Sequence, residues 1–308
     1  MKDTHKGYLM CFFGVFTWSF SEIIVKKLQG AVGPVSLSFL RFFLGGLFLL
    51  LLILLRKDTK DLFSFLRKPK WLMLFSGMVA LGISNIIYFI GLQSTQANIG
   101  SAMYTTYTIF ISLYSIFLLN EKTNISLKLI GYTIGFIGAA LLITNFQFNL
   151  FIEPAYLLGN LLLLLAAAIW AFHSVTGKML FLRLPEVKSV EIKFTMLAFF
   201  LACIPILIVL PFTSEINTFF LYDLNAWFFI LLMAIITTGF GLFIFFVGIK
   251  KVEVSRGISM ALLKPIITAV FAFPILGELP TPALYIAMPL ISIAILLINR
   301  PKKQIQQR

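Results

Sequence analysis

Several ionisable side chains lie inside long apolar runs of this sequence, where a charged group is costly and is therefore a candidate for function, and three of them are the first candidates for chemistry. They are Glu22, His173 and Lys264. Lys264 stands about seven residues into its run, and a lysine at that depth can bind a carboxylate, a phosphate or another anion. Glu22 is a candidate for taking up a proton and coupling it to transport, and His173 for binding, because an imidazole titrates near neutral pH.

Each of these residues also has a structural interpretation. Lys264 can pair with a backbone carbonyl that Pro265 frees, or extend its ammonium group toward the membrane surface. Glu22 can pair with Lys26 one helical turn later, or lie solvated at the membrane rim. A lone histidine among aromatic residues is more often a hydrogen-bonded packing residue. The sequence favours function for Lys264 and structure for the other two.

Aromatic side chains with polar tips form a second candidate set for substrate binding. They are Trp18, Trp170, Tyr88, Tyr104 and Tyr107, with the amide of Asn85 beside them. An aromatic box binds flat rings, or quaternary ammonium groups through cation–π contacts. The same residues also fill helix interfaces and the aromatic belts of a bilayer, so packing is the alternative.

The composition predicts that a membrane must position these residues. Of the 308 residues 60% are apolar and 12% charged, and the mean hydropathy is +0.99, outside the range of soluble proteins. The net charge of +13 does not indicate nucleic acid, because the cations stand in short loops between apolar runs. Cys11 and Cys203 lie within apolar runs and give neither a disulfide framework nor a metal spacing. We expect no cofactor and no nucleic-acid partner.

Ten apolar segments can be marked, and backbone groups in lipid must be paired, so each segment is expected to be a helix. The segments are 7–25, 34–55, 71–92, 100–119, 126–143, 155–180, 190–209, 226–249, 257–276 and 282–298. The first is not followed by a small-residue cleavage site and is expected to remain as a span. Most of the 25 lysines and arginines fall on the side that holds both chain ends. The positive-inside rule therefore predicts a multi-pass protein of the inner (plasma) membrane with both termini cytoplasmic.

The chain contains an internal repeat. The run Phe89–Leu92 returns as Phe246–Ile249 at an offset of 157 residues, and near the start of each half the offset is 152. Equivalent pairs at these offsets are Trp18/Trp170, Glu22/Ser174, Arg41/Lys193, Tyr107/Lys264 and Glu121/Glu278. Two repeats are predicted, residues 1–150 and 151–308, with five helices each. Because five is odd, the second repeat must be inverted relative to the first, as in many secondary transporters that work by alternating access.

Four charged residues recur at equivalent places in the two repeats. Arg41 and Lys193 lie near the start of the second helix of each repeat, within reach of the lipid headgroups, and are predicted to be structural anchors or gate residues. Glu121 and Glu278 stand at helix ends and are predicted to be capping or gate groups. A carboxylate at a helix C-terminus is unfavourable with the helix dipole, so each needs a cation or a backbone donor as partner.

The ordered set of motifs resembles a known family. Those motifs are Trp18-Ser19-Phe20, Trp170-Ala171-Phe172, the stretch 34–41, Leu118-Leu119-Asn120-Glu121, and Lys264-Pro265 through Leu276-Gly277-Glu278. Together they resemble the drug/metabolite transporter (DMT) superfamily, specifically its EamA-type ten-helix exporters, over nearly the whole chain, although no single motif is specific. The resemblance implies an all-α integral membrane protein with ten transmembrane helices as two inverted five-helix repeats. It also implies a cavity between the first and sixth helices, with Trp18 and Trp170 as opposite walls, and export of small metabolites such as amino acids.

The sequence departs from the family pattern at one place. The proline usual thirteen residues before the glutamate is present as Pro265 in the second repeat, but Thr108 stands there in the first. A proline removes one backbone donor, so the ninth helix is expected to be kinked and the fourth less so. Pro265 is therefore counted with the gate residues, because the two gates need not be energetically equivalent.

The sequence thus predicts a secondary-active transporter, an exporter driven by a coupling proton or ion or by the substrate gradient. Its expected partners are a small-molecule substrate and the lipid bilayer. The sequence does not decide whether the protein forms a homodimer. One alternative is an importer of a nutrient such as a choline-like quaternary amine, although Lys264 would repel a cation unless neutralised. Another is an integral-membrane enzyme with Glu22, His173 and Lys264 as acid–base groups. The sequence contains no P-loop and no zinc-protease motif, so neither ATP hydrolysis by a P-loop nor zinc chemistry is expected.

Overall fold

The computed structural model describes residues 2–62, 64, 69–95, 103–277, 279 and 281–300 as a bundle of apolar helices. Within these residues, eight helices are long and apolar enough to cross a membrane and two apolar helices are shorter. In chain order they are α1 Asp3–Leu28, α2 Pro34–Leu55, α3 Lys70–Leu92, α4 Met103–Leu118, α5 Ile125–Thr144, α6 Pro154–Arg183, α7 Val190–Phe212, α8 Leu224–Lys251, α9 Val254–Leu276 and α10 Pro282–Ile298. We call the end of the bundle that holds residues 2 and 300 the terminal face, and the opposite end the distal face.

Two of these helices are interrupted near their middle. In α1 the helix Lys2–Trp18 ends, and a new helix, Ser21–Leu28, begins after Ser19 and Phe20. In α9 the residues Ser259–Leu263 form a 3-10 segment, and regular α-helix resumes at Lys264. Pro265 cannot donate to the carbonyl of Ala261, which accepts from the N–H of Lys264 instead. The kink expected in α9 is therefore present, whereas the described part of α4 is interrupted only at Thr106.

Two further helices contain π-helical segments at equivalent positions. Phe75–Ile83 in α3 and Met233–Phe240 in α8 both have π-helical backbone. Shifting the first segment by the repeat offset of 157 places its end on the last residue of the second. A π-segment widens a helix locally and is frequent at functional sites.

Helix pairing follows the repeat. α1 packs against α8 as α6 packs against α3, and α2 contacts α8 as α7 contacts α3. The self-equivalent pairs α2–α7 and α5–α10 join the two halves. In the described part of the chain the architecture is thus all-α, with ten membrane helices arranged as two inverted five-helix repeats, as the sequence predicted.

Glycines allow the closest of these contacts. A Cβ on Gly248 would lie 2.7 Å from the carbonyl oxygen of Gly7, in the α1–α8 interface. A Cβ on Gly91 would lie 3.0 Å from the carbonyl oxygen of Gly159, in the equivalent α3–α6 interface. Small residues let helix backbones approach within van der Waals contact, which is the main attraction between helices in lipid.

Candidate functional site

A cavity of roughly 230 Å³ lies between α1, α3, α4, α5 and α9 and reaches the loop before α10 at the distal face. We call it the central cavity. Its polar lining consists of Glu22, Tyr88, Tyr104, Thr105, Tyr107, Lys264, Thr268 and Thr281. Lys264 and the three tyrosines are half of the predicted substrate-binding residues, and Glu22 is the predicted proton-coupling residue.

The two helix interruptions position an ion pair in this cavity. Glu22 lies in the first turn after the break in α1, and Lys264 is the first residue after the 3-10 segment of α9. Lys264 Nζ donates to Glu22 Oε1. The side chains are 23% and 39% exposed, respectively, so the pair faces the open volume rather than the packed core.

The break in α1 is also bonded directly to α9. The hydroxyl of Thr268 donates to the carbonyl oxygen of Ser19 at 2.7 Å, beside the interruption. Among the described residues, the second carboxylate oxygen of Glu22 is buried and has no hydrogen-bond partner. The site therefore holds a cation, a carboxylate and one unused acceptor on broken helices, a construction that transporters use to bind substrates and ions.

The sequence did not predict this pair. The partners expected from it were a backbone carbonyl for Lys264 and Lys26 for Glu22. The structure instead brings together two residues that are 242 positions apart. The two residues lie in different helices, α1 and α9, so spacing within a helix gives no sign of the contact. That each is an ionisable residue inside an apolar span was the only available signal.

Tyrosines and tryptophans form two layers at this site. The rings of Tyr88 and Tyr104 are 4.6 Å apart, and those of Tyr104 and Tyr107 are 5.6 Å apart, along the wall of the central cavity. Tyr107 contacts Trp170 at 4.7 Å, and the indoles of Trp170 and Trp18 meet edge to face at 6.3 Å. The two tryptophans therefore contact each other behind the tyrosines. The family resemblance had implied that they form opposite walls of an open cavity.

Arg41 lies deeper than the sequence suggested. One of its terminal nitrogens donates to Asn85 Oδ1 at 2.6 Å, and its guanidinium stands 4.6 Å from the ring centre of Phe42. It is within electrostatic range of Glu22 and of the hydroxyl groups of Tyr88 and Tyr104. Arg41 lies two turns into α2, about 10 Å from the start of the helix. Its side chain therefore lies near the central cavity and not at the lipid headgroups. Asn85 serves it as an acceptor and is not itself part of the cavity lining.

Lys193, the repeat equivalent of Arg41, has a different environment. Its ammonium group is fully buried at the terminal face and donates to Asp58 at 2.9 Å and to the carbonyl of Lys60 at 2.8 Å. Burial raises the pKa of Asp58, but hydrogen bonds from Ser189 and Lys193 outweigh it and hold the pKa below its ordinary value. Lys193 thus anchors the loop after α2 to the start of α7. It does not form a gate pair with Arg41.

Glu121 has the backbone partner that its position at a helix end requires. Its carboxylate accepts from the N–H groups of Val254 and Ser255, at 2.7 and 3.1 Å, at the beginning of α9. Lys128 Nζ donates to the Glu121 carbonyl at 3.1 Å, to Ser255 Oγ at 2.8 Å and to Glu253 at 2.9 Å. We call Glu121, Lys128, Glu253 and Ser255 the terminal-face lock. Glu278, the repeat equivalent of Glu121, lies outside the described residues.

The lock is held by charge as well as by hydrogen bonds. Burial raises the pKa of Glu253, but hydrogen bonds from Thr123 and Lys128 outweigh this effect and lower the pKa below its ordinary value. Glu253 therefore stays ionised opposite Lys128 at neutral pH. The terminal-face lock thus joins the end of α4 and the start of α5 to the start of α9, beside a pocket of roughly 400 Å³ that Glu121 and Glu253 line.

His173 is not part of the central cavity. Its ring is fully buried in the terminal half of α6, and Nδ1 is 2.9 Å from the hydroxyl of Ser76 in α3. The ring stacks on Phe194 and meets Phe246 edge to face, both at 5.2 Å. His173 thus contacts α3, α7 and α8 and is not among the residues that line the central cavity.

A model of a known protein family matches nearly the whole chain. The model of the EamA-like transporter family matches residues 5–144 and 157–300. The chain belongs to this family. The resemblance seen in the sequence is thereby confirmed, and the protein is a multi-pass membrane transporter of the EamA type.

Relatives of this EamA-like transporter come from bacteria and archaea. An uncharacterized transporter of Clostridium kluyveri is 25% identical over 89% of this chain and 86% of its own length. The uncharacterized transporter YoaV of Bacillus subtilis is 25% identical over 82% of each chain. One from Archaeoglobus fulgidus is 24% identical over 89% of this chain and 91% of its own. A solved structure titled only as a crystal structure of a protein superposes with a TM-score of 0.78 at 23% identity, covering 95% of this chain and 96% of that one, and it supports the fold.

Proposed function

We propose that this EamA-like transporter is a secondary-active exporter that binds a small zwitterionic metabolite, of the amino-acid type, in the central cavity. The observation that carries the proposal is the Lys264–Glu22 ion pair facing that cavity from two broken helices. A substrate carboxylate can replace Glu22 on Lys264, while its ammonium group takes the carboxylate that is released. Exchange of one ion pair for two keeps every charge in the membrane compensated.

The size of the cavity agrees with a small substrate. At roughly 230 Å³ it is smaller than the roughly 300–1,000 Å³ of pockets for drug-sized ligands. The tyrosine layer gives the remaining wall an apolar face with polar tips, which suits an amphipathic side chain.

The proposed cycle is alternating access between the two faces. In it the terminal-face lock holds one end closed while the central cavity opens at the other. With both termini cytoplasmic, as the loop charges predict, this conformation is outward-facing. Residues 1–150 and 151–308 would then move as two units, and opening the lock while closing the cavity mouth would give the inward-facing state.

A second candidate is import of a choline-like quaternary amine. The observation that favours it is that Glu22 neutralises Lys264, which removes the main electrostatic objection to a cation beside the tyrosine layer. The enzyme hypothesis gains no comparable support, because His173 lies apart from Glu22 and Lys264 and the acid–base set is not assembled.

Counterflow in proteoliposomes tests the proposal. Vesicles loaded with a mixture of unlabelled amino acids should take up labelled amino acid, and Lys264→Met should reduce the rate about tenfold or more, since a charge-assisted hydrogen bond is lost. Lys251→Met is the matched control: Lys251 pairs with Asp3 at 3.2 Å on the exposed terminal face, and the rate should stay unchanged. Choline exchange that is insensitive to Lys264→Met would favour the importer instead, and exchange of neither class would contradict both.

A further inference from the structure

Among the residues that the structure describes, the charges around the central cavity do not balance. Arg41 and Lys264 are two cations in the distal half of the bundle, and Glu22 is the one carboxylate beside them among the described spans. Lys26 and Lys27 are exposed at the distal end of α1 and add no negative charge. A net positive charge in a membrane-embedded site attracts an anion, because an uncompensated charge at this depth is costly.

Among the described residues, Arg41 has no carboxylate in hydrogen-bond contact. A guanidinium group has five N–H donors, and the hydrogen bond that the structure records for this one goes to Asn85, a neutral amide. Within the described residues, its Nε is buried with no hydrogen-bond partner, and no carboxylate lies within 4.0 Å of it. Arginine binds a carboxylate through two parallel hydrogen bonds, and that planar partner is missing here.

The position of Arg41 relative to the cavity is set by α3. Asn85, its acceptor, is one turn before Tyr88, which lines the central cavity. Arg41 is within electrostatic range of Tyr88 and Tyr104, whose rings contact each other at 4.6 Å. Arg41 therefore lies near the part of the cavity wall that Tyr88 and Tyr104 form.

We infer that Arg41 is a second anion subsite, so that the solute carries two acidic groups and one ammonium group, with a net charge of −1. This inference rests on the proposed function and refines its substrate class. One acidic group meets Lys264, the ammonium group meets Glu22, and the second acidic group forms the bidentate contact that Arg41 lacks. With such a solute bound, the cations and anions of the site are equal in number.

The competing explanation is that Arg41 only tethers α2 to α3 through Asn85. Two variants separate these roles. Arg41→Gln removes the charge but keeps an amide that can donate to Asn85. Asn85→Ala removes the tether and keeps the charge. If Arg41 binds an anion, Arg41→Gln weakens binding of the second acidic group. If Arg41 only tethers α2 to α3, Asn85→Ala has the larger effect.

The experiment compares L-glutamate with L-glutamine as competitors in the counterflow assay, because they have nearly the same shape and differ in the second acidic group. Wild-type protein should prefer glutamate by about tenfold, the value of one charged hydrogen-bonded contact. Arg41→Gln should bring the ratio close to one with glutamine affinity unchanged. Asn85→Ala should preserve the ratio even where it lowers the rate.

The outcomes distinguish this inference from the proposed function. Equal competition by both compounds in wild type, or a preference that survives Arg41→Gln, overturns the subsite alone. If neither amino acid competes but succinate does so in an Arg41-dependent manner, the zwitterion proposal fails and the subsite stands. If none of the three competes, both are overturned.

Discussion

At the scale of single residues, burial separates the ionisable groups into two kinds. Glu22 and Lys264 are partly exposed to a cavity and can exchange partners. His173 and Lys193 are fully buried, and they hydrogen-bond to Ser76 and to Asp58, respectively. Because breaking a buried polar contact costs the desolvation of both groups, the second kind stabilises the fold, whereas the first kind is available to a ligand.

His173 provides the clearest test of this division. His173→Leu should lower the melting temperature of the purified protein, because the Ser76 hydroxyl loses its contact with His173 Nδ1 and keeps only the hydrogen bond that it accepts from Thr176, at a cost of about 1–3 kcal/mol. Counterflow per folded molecule should remain close to that of wild type. Loss of counterflow at an unchanged melting temperature would instead return His173 to the binding site.

At the scale of helices, the site depends on backbone irregularities more than on loops. The break in α1 and the 3-10 segment in α9 expose carbonyl groups and place Glu22 and Lys264 at the starts of helical segments. The π-segments of α3 and α8 occupy equivalent positions against α7 and α2. Locally altered hydrogen bonding lets a helix bend without unfolding, so these four places are where we expect the bundle to change shape.

The glycine contacts of α1 with α8 and of α3 with α6 should be sensitive to a single methyl group. Gly248→Ala places a Cβ 2.5 Å from Cys11 Sγ and 2.7 Å from a backbone oxygen, and overpacking of this kind typically costs about 1–3 kcal/mol. Gly46→Ala is the matched control, since its Cβ would meet only the ring of Phe200, at 3.0 Å. A clearly lower melting temperature is expected for Gly248→Ala than for Gly46→Ala. Equal effects would contradict the close backbone approach.

The sequence predicted the spans well and the backbone irregularities unevenly. The ten apolar runs could be recognised because a bilayer imposes both length and helical structure on them. The irregularity at Pro265 was predicted because proline lacks a backbone donor. The break at Ser19 and the two π-segments contain no proline, so no residue type marks them in the sequence. For the same reason the Lys264–Glu22 contact and the environment of Arg41 were visible only in the folded chain.

At the scale of the whole molecule, the two faces are built differently. Glu121 bonds the end of α4 to the start of α9 at the terminal face, beside a pocket of roughly 400 Å³, while the central cavity lies toward the distal face. In an alternating-access cycle the two ends open in turn, so which end is open to which side of the membrane has to be measured.

Accessibility of engineered cysteines tests which face is outside. On a background of Cys11→Ala and Cys203→Ala, a membrane-impermeant maleimide should label Ala269→Cys in the central cavity from outside intact cells. Arg183→Cys at the terminal face should be labelled only after the membrane is permeabilised. Labelling of Arg183→Cys in intact cells would reverse the proposed orientation.

The Lys264–Glu22 pair also constrains how such a protein can have arisen. Glu22 is equivalent to Ser174, and Lys264 is equivalent to Tyr107. A dimer of two copies of the first half would therefore present two glutamates and no partner lysine at this place, and a dimer of the second half two lysines and no glutamate. Joining the halves in one gene allowed each to change alone, and the opposite charges of the pair record that divergence.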